Sequence, residues 1–251
     1  MIVCFSGTGN SAAVARILDK TLDHSDHVVW VSPVHAWGLP RMVLQAIYDW
    51  PTLPPYISSL GTPKPDANHW LVLTCGDDVG RTPDVWRNAL KRKGIKAKSA
   101  FSVRMPNTYV NLPGFDVDSQ PIAQSKLNAM PDRVAAIAAA IAANKDDDDV
   151  IPGRMASFKT RVLNPLFNYL LMSPKRFTVN DNCTKCGICA SECPVNNITM
   201  TPTGPTFGTQ CTTCMACYHA CPSHCINRPL TKNHGQYRIL KSKAETKSPQ
   251  G

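Results

Sequence analysis

The chain of 251 residues is 43% hydrophobic and long enough for two domains with their own cores, and it has no run of about 18 apolar residues that could cross a membrane. Because the N-terminus lacks a basic leader and a cleavage site, we expect a cytoplasmic protein whose 11 cysteines stay reduced and free to hold metal. The net charge of +9 comes entirely from residues 151–251, and since their lysines are concentrated in a tail with little aromatic interleaving, we expect acidic partners and no nucleic acid.

The N-terminus predicts a strand, a polar turn and a helix in succession. An apolar run at 2–5 precedes a turn of glycines and hydroxyls at 6–11, which is a phosphate cradle because N–H groups and the helix dipole face the anion. The turn also fits a dinucleotide fingerprint, but the acidic residue expected at the end of the next strand is missing. Without a Gly-Lys-Ser/Thr, a nucleoside triphosphate is disfavoured too, so we predict FMN. Its phosphate ligands are then Ser6, Gly7, Thr8, Gly9, Asn10 and Ser11.

Alternating strands and helices follow this turn, which predicts a parallel α/β sheet with its ligand site at the carboxyl ends of the inner strands. Further strands are predicted at 28–31, 69–74 and 96–103, helices at 41–50 and 121–143, and another helix that begins at Thr82 and Pro83. The proline-rich residues 51–66 predict a surface loop, and Pro131 is expected to kink or divide the last helix.

Three loops resemble the flavin loops of flavodoxins: residues 5–11 the phosphate loop, 33–40 the second loop and 74–77 the third. Flavodoxins place a strand before the one that begins at Val28, where this chain has little room. The resemblance therefore implies a sheet of four parallel strands, with the usual second strand short or missing. It also implies flavin contacts at Pro33, Val34, His35, Ala36, Trp37, Gly38, Thr74, Cys75, Gly76 and Asp77.

Aromatic and amide side chains near these loops are further candidates. We expect Trp37 to cover one side of the flavin ring, with simple packing as the alternative. Asn107 and Tyr109 follow the last strand and are expected to face the flavin, although Tyr109 also suits loop packing. Cys4 and Cys75 are expected to be small buried side chains rather than nucleophiles.

A charged linker separates the two halves of the chain. The acidic run 145–150 predicts a solvated linker. Residues 154–175 then predict a basic helical segment whose Phe158, Val162 and Leu166 recur at near-helical spacing. This segment is expected to dock on the rest of the protein or on a partner, with binding to a membrane surface as the remaining possibility.

Two copies of one cysteine run, Cys-x2-Cys-x2-Cys-x3-Cys-Pro, occupy residues 183–194 and 211–222. This is the run with which bacterial ferredoxins hold iron–sulfur clusters, the fourth cysteine binding the other run's cluster. A disulfide framework is disfavoured without a signal peptide, and structural zinc takes ligand pairs rather than triplets. Cys225 is expected only to pack. The predicted ligands are Cys183, Cys186, Cys189 and Cys221 for one 4Fe–4S cluster and Cys211, Cys214, Cys217 and Cys193 for the other.

Taken together, the three loops and the double cysteine run are similar to those of a family of flavodoxin–ferredoxin fusions found in anaerobic prokaryotes. The resemblance implies a flavodoxin-like domain that binds FMN and an α+β ferredoxin-like domain with two 4Fe–4S clusters. The implied divisions are a flavodoxin-like domain at 1–145, a linker at 146–176, a ferredoxin-like domain at 177–231 and a flexible basic tail at 232–251.

The function implied by this resemblance is electron transfer between FMN, the clusters and external redox proteins such as an acidic ferredoxin or flavodoxin. A flavin-dependent oxidoreductase acting on a small substrate remains open, with His35, Tyr109 and Asp77 as the candidate proton donors. A binding module that responds to redox state through its basic half is the third possibility.

Overall fold

A central five-stranded sheet organises the first half of the protein, in a computed structural model that describes residues 1–22, 26–62, 66–111, 114–172, 177–231 and 234–239. The order is β3-β1-β2-β4-β5, in which β3 is antiparallel to β1 and the other four strands are parallel. The strands are β1 (Ile2–Cys4), β2 (His27–Pro33), β3 (Ser58–Leu60), β4 (Asn68–Cys75) and β5 (Ala97–Arg104).

Helices cover both faces of this sheet, so its inner strands are buried on both sides and are nearly continuous in apolar residues. In β4, Trp70 and Val72 pack towards α1 and α4, whereas Leu71 and Leu73 pack towards α2 and α3. The helices of this half are α1 (Asn10–Thr21), α2 (Arg41–Asp49), α3 (Thr82–Arg92) and α4 (Gln120–Ala142).

Strand β3 adds an antiparallel strand to the four parallel strands that were predicted, and it corrects the prediction that residues 51–66 are entirely loop. The chain returns from α2 along the outer edge of β1, and the Ser58 hydroxyl donates to the Cys4 carbonyl at 3.1 Å. All three residues of β3 are exposed, so no apolar alternation marked it in the sequence. The strand covers an edge whose backbone groups would otherwise lack partners.

Two expectations about the end of this half also change. Pro131 lies inside α4 without dividing it. The acidic run is exposed, as expected of a linker, but its last residues are held against the sheet. Asp149 exchanges backbone hydrogen bonds with Ala100 and Ser102 of β5, and Arg133 and Arg87 pair with Asp149 and Asp148. Salt bridges and strand pairing therefore fix the chain where the sequence predicted only solvation.

The next segment is helical from residue 156 to residue 170, with a π-helical turn in its middle. It comprises α5 (Ala156–Phe158), the π-helical turn (Lys159–Leu163) and α6 (Asn164–Leu170). No helix within the described parts of the chain is long and apolar enough to cross a membrane.

The cysteine-rich half is built from short elements. Two antiparallel pairs, β6 with β9 and β7 with β8, flank two short helices. These are β6 (Thr178–Val179), α7 (Ile188–Ser191), β7 (Ile198–Thr201), β8 (Gly204–Phe207), α8 (Ala216–Ala220) and β9 (Ile226–Asn227).

The C-terminal tail differs from its prediction wherever it is described. Residues 234–239 pack back onto the protein instead of extending into solvent. Gln236 donates to the carbonyls of Tyr218 and Cys221, and Arg238 pairs with Glu192 at 2.5 Å. These contacts fix the segment, while residues 232–233 and 240–251 of the predicted tail lie outside the described residues.

Candidate functional site

The turn between β1 and α1 holds buried polar atoms that lack partners. Gly9 is the N-cap of α1 at φ 97°, a backbone conformation that glycine adopts without strain. The Ser11 hydroxyl lies 2.7 Å from that of Thr74, and the Asn10 amide donates to Pro106 at 2.9 Å. By contrast, Ser6 Oγ and Asn10 Oδ1 are buried without a hydrogen-bond partner among the described residues.

Unpartnered buried polar atoms are costly, so this turn is suited to a polar ligand. The first N–H groups of α1 have no acceptor within the helix, and the Ser6 hydroxyl adds a side-chain donor. A phosphate accepts from both, whereas Asn10 Oδ1 suits a ligand hydroxyl. The donor set therefore fits a phosphate carried on a polyhydroxyl chain.

The second loop is a tight hairpin with two residues in the left-handed region. Ala36 (φ 45°) and Trp37 (φ 63°) connect His35 and Gly38, which exchange backbone hydrogen bonds. A residue in this conformation costs about 1–3 kcal/mol, and the conformation persists only where the surrounding structure holds it. Here the helical segment 156–170 supplies that support.

Two polar side chains of this helical segment hold the hairpin. Thr160 Oγ1 donates to the Trp37 carbonyl at 2.7 Å and accepts from the Arg81 N–H at 2.8 Å. Asn164 Nδ2 lies 2.9 Å from the His35 carbonyl oxygen. The segment predicted as part of a linker is thus a structural part of the candidate flavin site.

Trp37 forms one wall of a cavity of about 180 Å³ between the second and third loops. Lys159 Nζ lies 5.0 Å from the centre of its ring and 2.6 Å from Asp78 Oδ2. Phe115 meets the indole edge to face at 6.2 Å. The predicted residues that line this cavity are Val34, Ala36, Trp37, Cys75, Gly76, Asp77, Asn107 and Tyr109.

A smaller cavity of about 60 Å³ adjoins the phosphate turn and shares several wall residues with the cavity beside Trp37. The two cavities therefore form one groove from the turn to the indole. Of the predicted residues, the smaller cavity is lined by Ser6, Gly7, Thr8, Asn10, Ser11, Pro33, Val34, His35, Thr74, Cys75, Gly76, Asn107 and Tyr109. Gly9 and Gly38 lie behind the groove, against Ile239 and Asn164.

His35 and Tyr109 are both uncharged at neutral pH. Burial lowers the pKa of His35 to about 4, and its Nδ1 has no partner among the described residues. Burial raises the pKa of Tyr109 to about 12. Cys4 and Cys75 are buried as expected, and burial raises the pKa of each thiol to about 12.

The eight cysteines of the two runs fall into two neighbouring groups. Burial raises the pKa of Cys189, and the adjacent thiols of Cys221 and Cys186 raise it further. The pKa of Cys217 is raised by burial and then by four neighbouring thiols, those of Cys214, Cys211, Cys193 and, last, Cys189. The thiol of Cys221 is thus a neighbour of Cys189 in the first run, and the thiol of Cys193 is a neighbour of Cys217 in the second. No group of three or more His, Cys, Asp or Glu side chains in the described residues could hold a single metal ion.

Backbone N–H groups point at several of these sulfurs. Asn197 N lies 3.2 Å from Cys193 Sγ, and Thr213 N lies 3.3 Å from Cys211 Sγ. Such bonds favour thiolate and tune the potential of a cluster. The Cys225 thiol, predicted only to pack, lies 3.3 Å from Cys221 Sγ.

The two halves meet at the phosphate turn. A methyl group at Gly7 would lie 2.7 Å from Cys214 Cβ, and Cys214 forms part of the wall of the smaller cavity. On the other side of the turn, a methyl group at Gly9 would meet Ile239 at 2.5 Å. Sequence reasoning missed these contacts because nothing local in either segment marks its distant partner.

Comparison with known proteins supports part of this description. Residues 178–199 match the 4Fe-4S binding domain family, a match that includes the first cysteine run and not the second. No curated protein matches the chain. Among solved structures, an azoreductase from Bacillus anthracis str. Sterne is similar over 51% of this chain and 62% of its own length, at 14% identity and a TM-score of 0.27.

The fold and the matched segment define a class of protein. The first half of the protein is a mostly parallel α/β sheet covered by helices on both faces. Its second half contains a 4Fe–4S binding domain, which indicates electron transfer.

Proposed function

We propose that the protein is an iron–sulfur flavoprotein that carries electrons between external redox partners, with one FMN and two 4Fe–4S clusters. The observation that carries this proposal is the position of Cys214. This residue belongs to the second cysteine run and also lines the cavity at the phosphate turn. A proposed cluster ligand that also lines the proposed flavin site is suited to direct electron exchange between the cluster and FMN.

In this proposal the phosphate turn and the groove hold FMN. The Ser6 hydroxyl and the first N–H groups of α1 bind the phosphate, and Asn10 Oδ1 accepts from the sugar-alcohol chain. Trp37 covers the ring, while the backbone of Gly76 and Asp77 contacts its edge. When bound, FMN exchanges one or two electrons, whereas each cluster exchanges one.

The proposed cluster ligands follow the two groups of neighbouring thiols. One cluster is held by Cys183, Cys186, Cys189 and Cys221, and the other by Cys211, Cys214, Cys217 and Cys193. The N–H groups of Asn197 and Thr213 then stabilise negative charge on the sulfurs of the second cluster. We propose that the protein is cytoplasmic. Because residues 151–251 are strongly basic, we propose an acidic ferredoxin or flavodoxin as its partner.

The pKa values of His35 and Tyr109, two of the three candidate proton donors, favour electron transfer over chemistry on a substrate. A general acid or base is most effective when its pKa lies near the working pH. His35, with a pKa of about 4, holds no extra proton at neutral pH, and Tyr109, with a pKa of about 12, does not release its own. Neither side chain is suited to exchange protons with a bound substrate there.

The test is an absorption spectrum of protein prepared without air, with iron, sulfide and flavin quantified per chain. We expect about eight irons, about eight sulfides and one FMN. Protein that stays colourless after reconstitution with iron, sulfide and FMN contradicts the proposal. If one cofactor type loads and the other does not, electron transfer between them is excluded.

A further inference from the structure

The helical segment 156–170 and the residue before it expose a row of large apolar side chains. Of the ten large hydrophobic residues that are exposed in the described chain, six are here. Tyr169 is 83% exposed and Met155 is 68% exposed. We call this row the apolar stripe; it consists of Met155, Phe158, Val162, Leu166, Tyr169 and Leu170.

The opposite side of the same segment is fixed to the rest of the protein. Thr160 and Asn164 hold the hairpin around Trp37, and Phe167 is buried against the ring of Tyr109 at 5.3 Å. The stripe residues recur every three or four positions, so they share the other side of the segment. The exposed stripe is therefore held in place and is not the result of a helix that failed to dock.

The charged residues of the segment itself are all basic. No acidic residue occurs between Asp149 and Asp181, whereas this interval contains five Lys and Arg residues. Among them Arg154 and Arg161 are exposed, at positions that flank the stripe. The result is an apolar helix face bordered by positive charge.

We propose that the apolar stripe binds the surface of an anionic lipid bilayer, with the helical segment lying in the plane of the headgroups. An amphipathic helix with aromatic and aliphatic residues on one face and basic residues at its border is suited to this position. The segment spans about 22 Å at 1.5 Å per residue, too short to cross a hydrocarbon core of about 30 Å. Tyr169 suits the boundary between water and acyl chains.

Charge complementarity selects this occupant over a second copy of the chain. Two copies joined through the stripe bring Arg154 and Arg161 towards the same arginines of the other copy, and such like charges repel. Anionic phospholipid headgroups attract them, by about 1 kcal/mol for each basic residue near the surface, which corresponds to about fivefold in partitioning.

Co-sedimentation of the full, cofactor-loaded chain with lipid vesicles tests the proposal. We expect binding to vesicles of phosphatidylcholine mixed with phosphatidylglycerol, weaker binding to phosphatidylcholine alone, and loss of the difference at high salt. In the double variant Phe158→Gln with Leu166→Gln, partitioning should fall about tenfold or more, because two apolar side chains are lost from the bilayer contact. Arg154→Gln and Arg161→Gln should each cost about fivefold on the anionic vesicles only.

The matched control is Ile122→Gln, an exposed apolar residue of α4 outside the stripe, which should bind like the unchanged protein. Unchanged far-ultraviolet circular dichroism and cofactor absorption exclude misfolding as a cause. The proposal is overturned if the unchanged protein does not sediment with anionic vesicles, or if the double variant binds as well as it does. If the protein dimerises without lipid and the double variant does not, the stripe binds a second copy of the chain. If the protein binds an acidic protein but not vesicles, the stripe binds a protein partner. Either result also overturns the proposal.

Discussion

Individual cysteine sulfurs define the proposed cluster sites. In the proposal, the fourth cysteine of each run binds the cluster of the other run. The thiol of Cys193 neighbours that of Cys217, and the thiol of Cys221 neighbours that of Cys189, as the proposed crossing requires. Serine at these positions removes one soft ligand with almost no change of volume, so its effect is confined to one cluster.

Cys193→Ser should therefore damage the cluster held by Cys211, Cys214 and Cys217. Iron per chain should fall from about eight to about four. The double variant of Cys193→Ser with Cys217→Ser should keep the remaining four, because both ligands serve one cluster. Cys193→Ser with Cys189→Ser should lose nearly all iron. If the two double variants exchange these results, the ligands are not crossed.

At the scale of residues, the sequence allows predictions that depend only on residue type and on spacing along the chain. The spacing of the two cysteine runs predicts which cysteines are cluster ligands, and this stays a prediction; the hydroxyls of the turn predicted side-chain donors, of which Ser6 Oγ is buried without a partner among the described residues. Contacts between distant segments were not predictable, because Cys214 and Ile239 meet Gly7 and Gly9 only after folding. Nor did any local signal mark Thr160 as the support of the hairpin around Trp37.

A buried histidine in the core sets an acid limit on stability. Trp30 Nε1 donates to His69 Nδ1 at 3.0 Å, which requires that this nitrogen be unprotonated. Burial, together with the smaller effect of the N-terminal charge, lowers the pKa of His69 to about 4. The unfolded chain then binds more protons than the folded one between about pH 6.5 and 4, so the free energy of unfolding falls as the pH falls through this window.

We expect this fall to reach about 3 kcal/mol at most from His69. Urea unfolding at pH 7, 6 and 5 measures it. Because the variant His69→Gln cannot titrate, its free energy of unfolding should change less between pH 7 and pH 5. At pH 7 its free energy of unfolding should be lower, because the Trp30–His69 hydrogen bond is lost. An equal pH dependence in the variant and the unchanged protein contradicts this role of His69.

At the scale of elements, the helical segment 156–170 links the hairpin of the candidate flavin site to α3. Its Thr160 hydroxyl bonds to the Trp37 carbonyl and to the Arg81 N–H, which immediately precedes α3. Sequence periodicity predicted a helix here but not its partners, since exposure and burial of its two sides are set by the rest of the fold. Strand β3 escaped prediction for a similar reason, because pairing with β1 and not apolar pattern makes it a strand.

Thr160→Val keeps the shape of this side chain and removes its hydroxyl. Two part-buried backbone groups then lose a partner, at a cost of about 1 kcal/mol or somewhat more in the free energy of unfolding. We expect FMN binding to weaken as well, because the hairpin around Trp37 loses support. Fluorescence titration with FMN and thermal unfolding measure the two effects. Ser157→Ala, at an exposed position of the same segment, is the matched control and should change neither.

At the scale of the whole molecule, the two halves share one boundary, and residues 234–239 help to close it. His219 of the cysteine-rich half lies 2.6 Å from the Thr108 carbonyl oxygen of the sheet half. Ile239 then covers Gly9, and Arg238 pairs with Glu192. The sequence predicted two modules, but its composition gave no measure of how closely they pack.

A chain that ends at residue 233 should therefore be less stable than one that ends at residue 239. The shorter chain loses the contacts of Gln236, Arg238 and Ile239, and we expect its thermal midpoint to fall by several degrees, about 2–4 °C for each kcal/mol lost. Differential scanning calorimetry of both chains makes the comparison. Equal midpoints contradict a stabilising role for these six residues.

The approach of Cys214 to Gly7 also has a consequence for biogenesis. The cavity that Cys214 lines holds about 60 Å³ and the adjoining cavity beside Trp37 about 180 Å³, whereas small-molecule sites generally enclose about 300–1,000 Å³. We expect flavin to enter more slowly once the wall that contains Cys214 has formed. We therefore expect maturation to have an order, in which the nascent polypeptide takes up its pigment first and the iron-bearing module then closes over it.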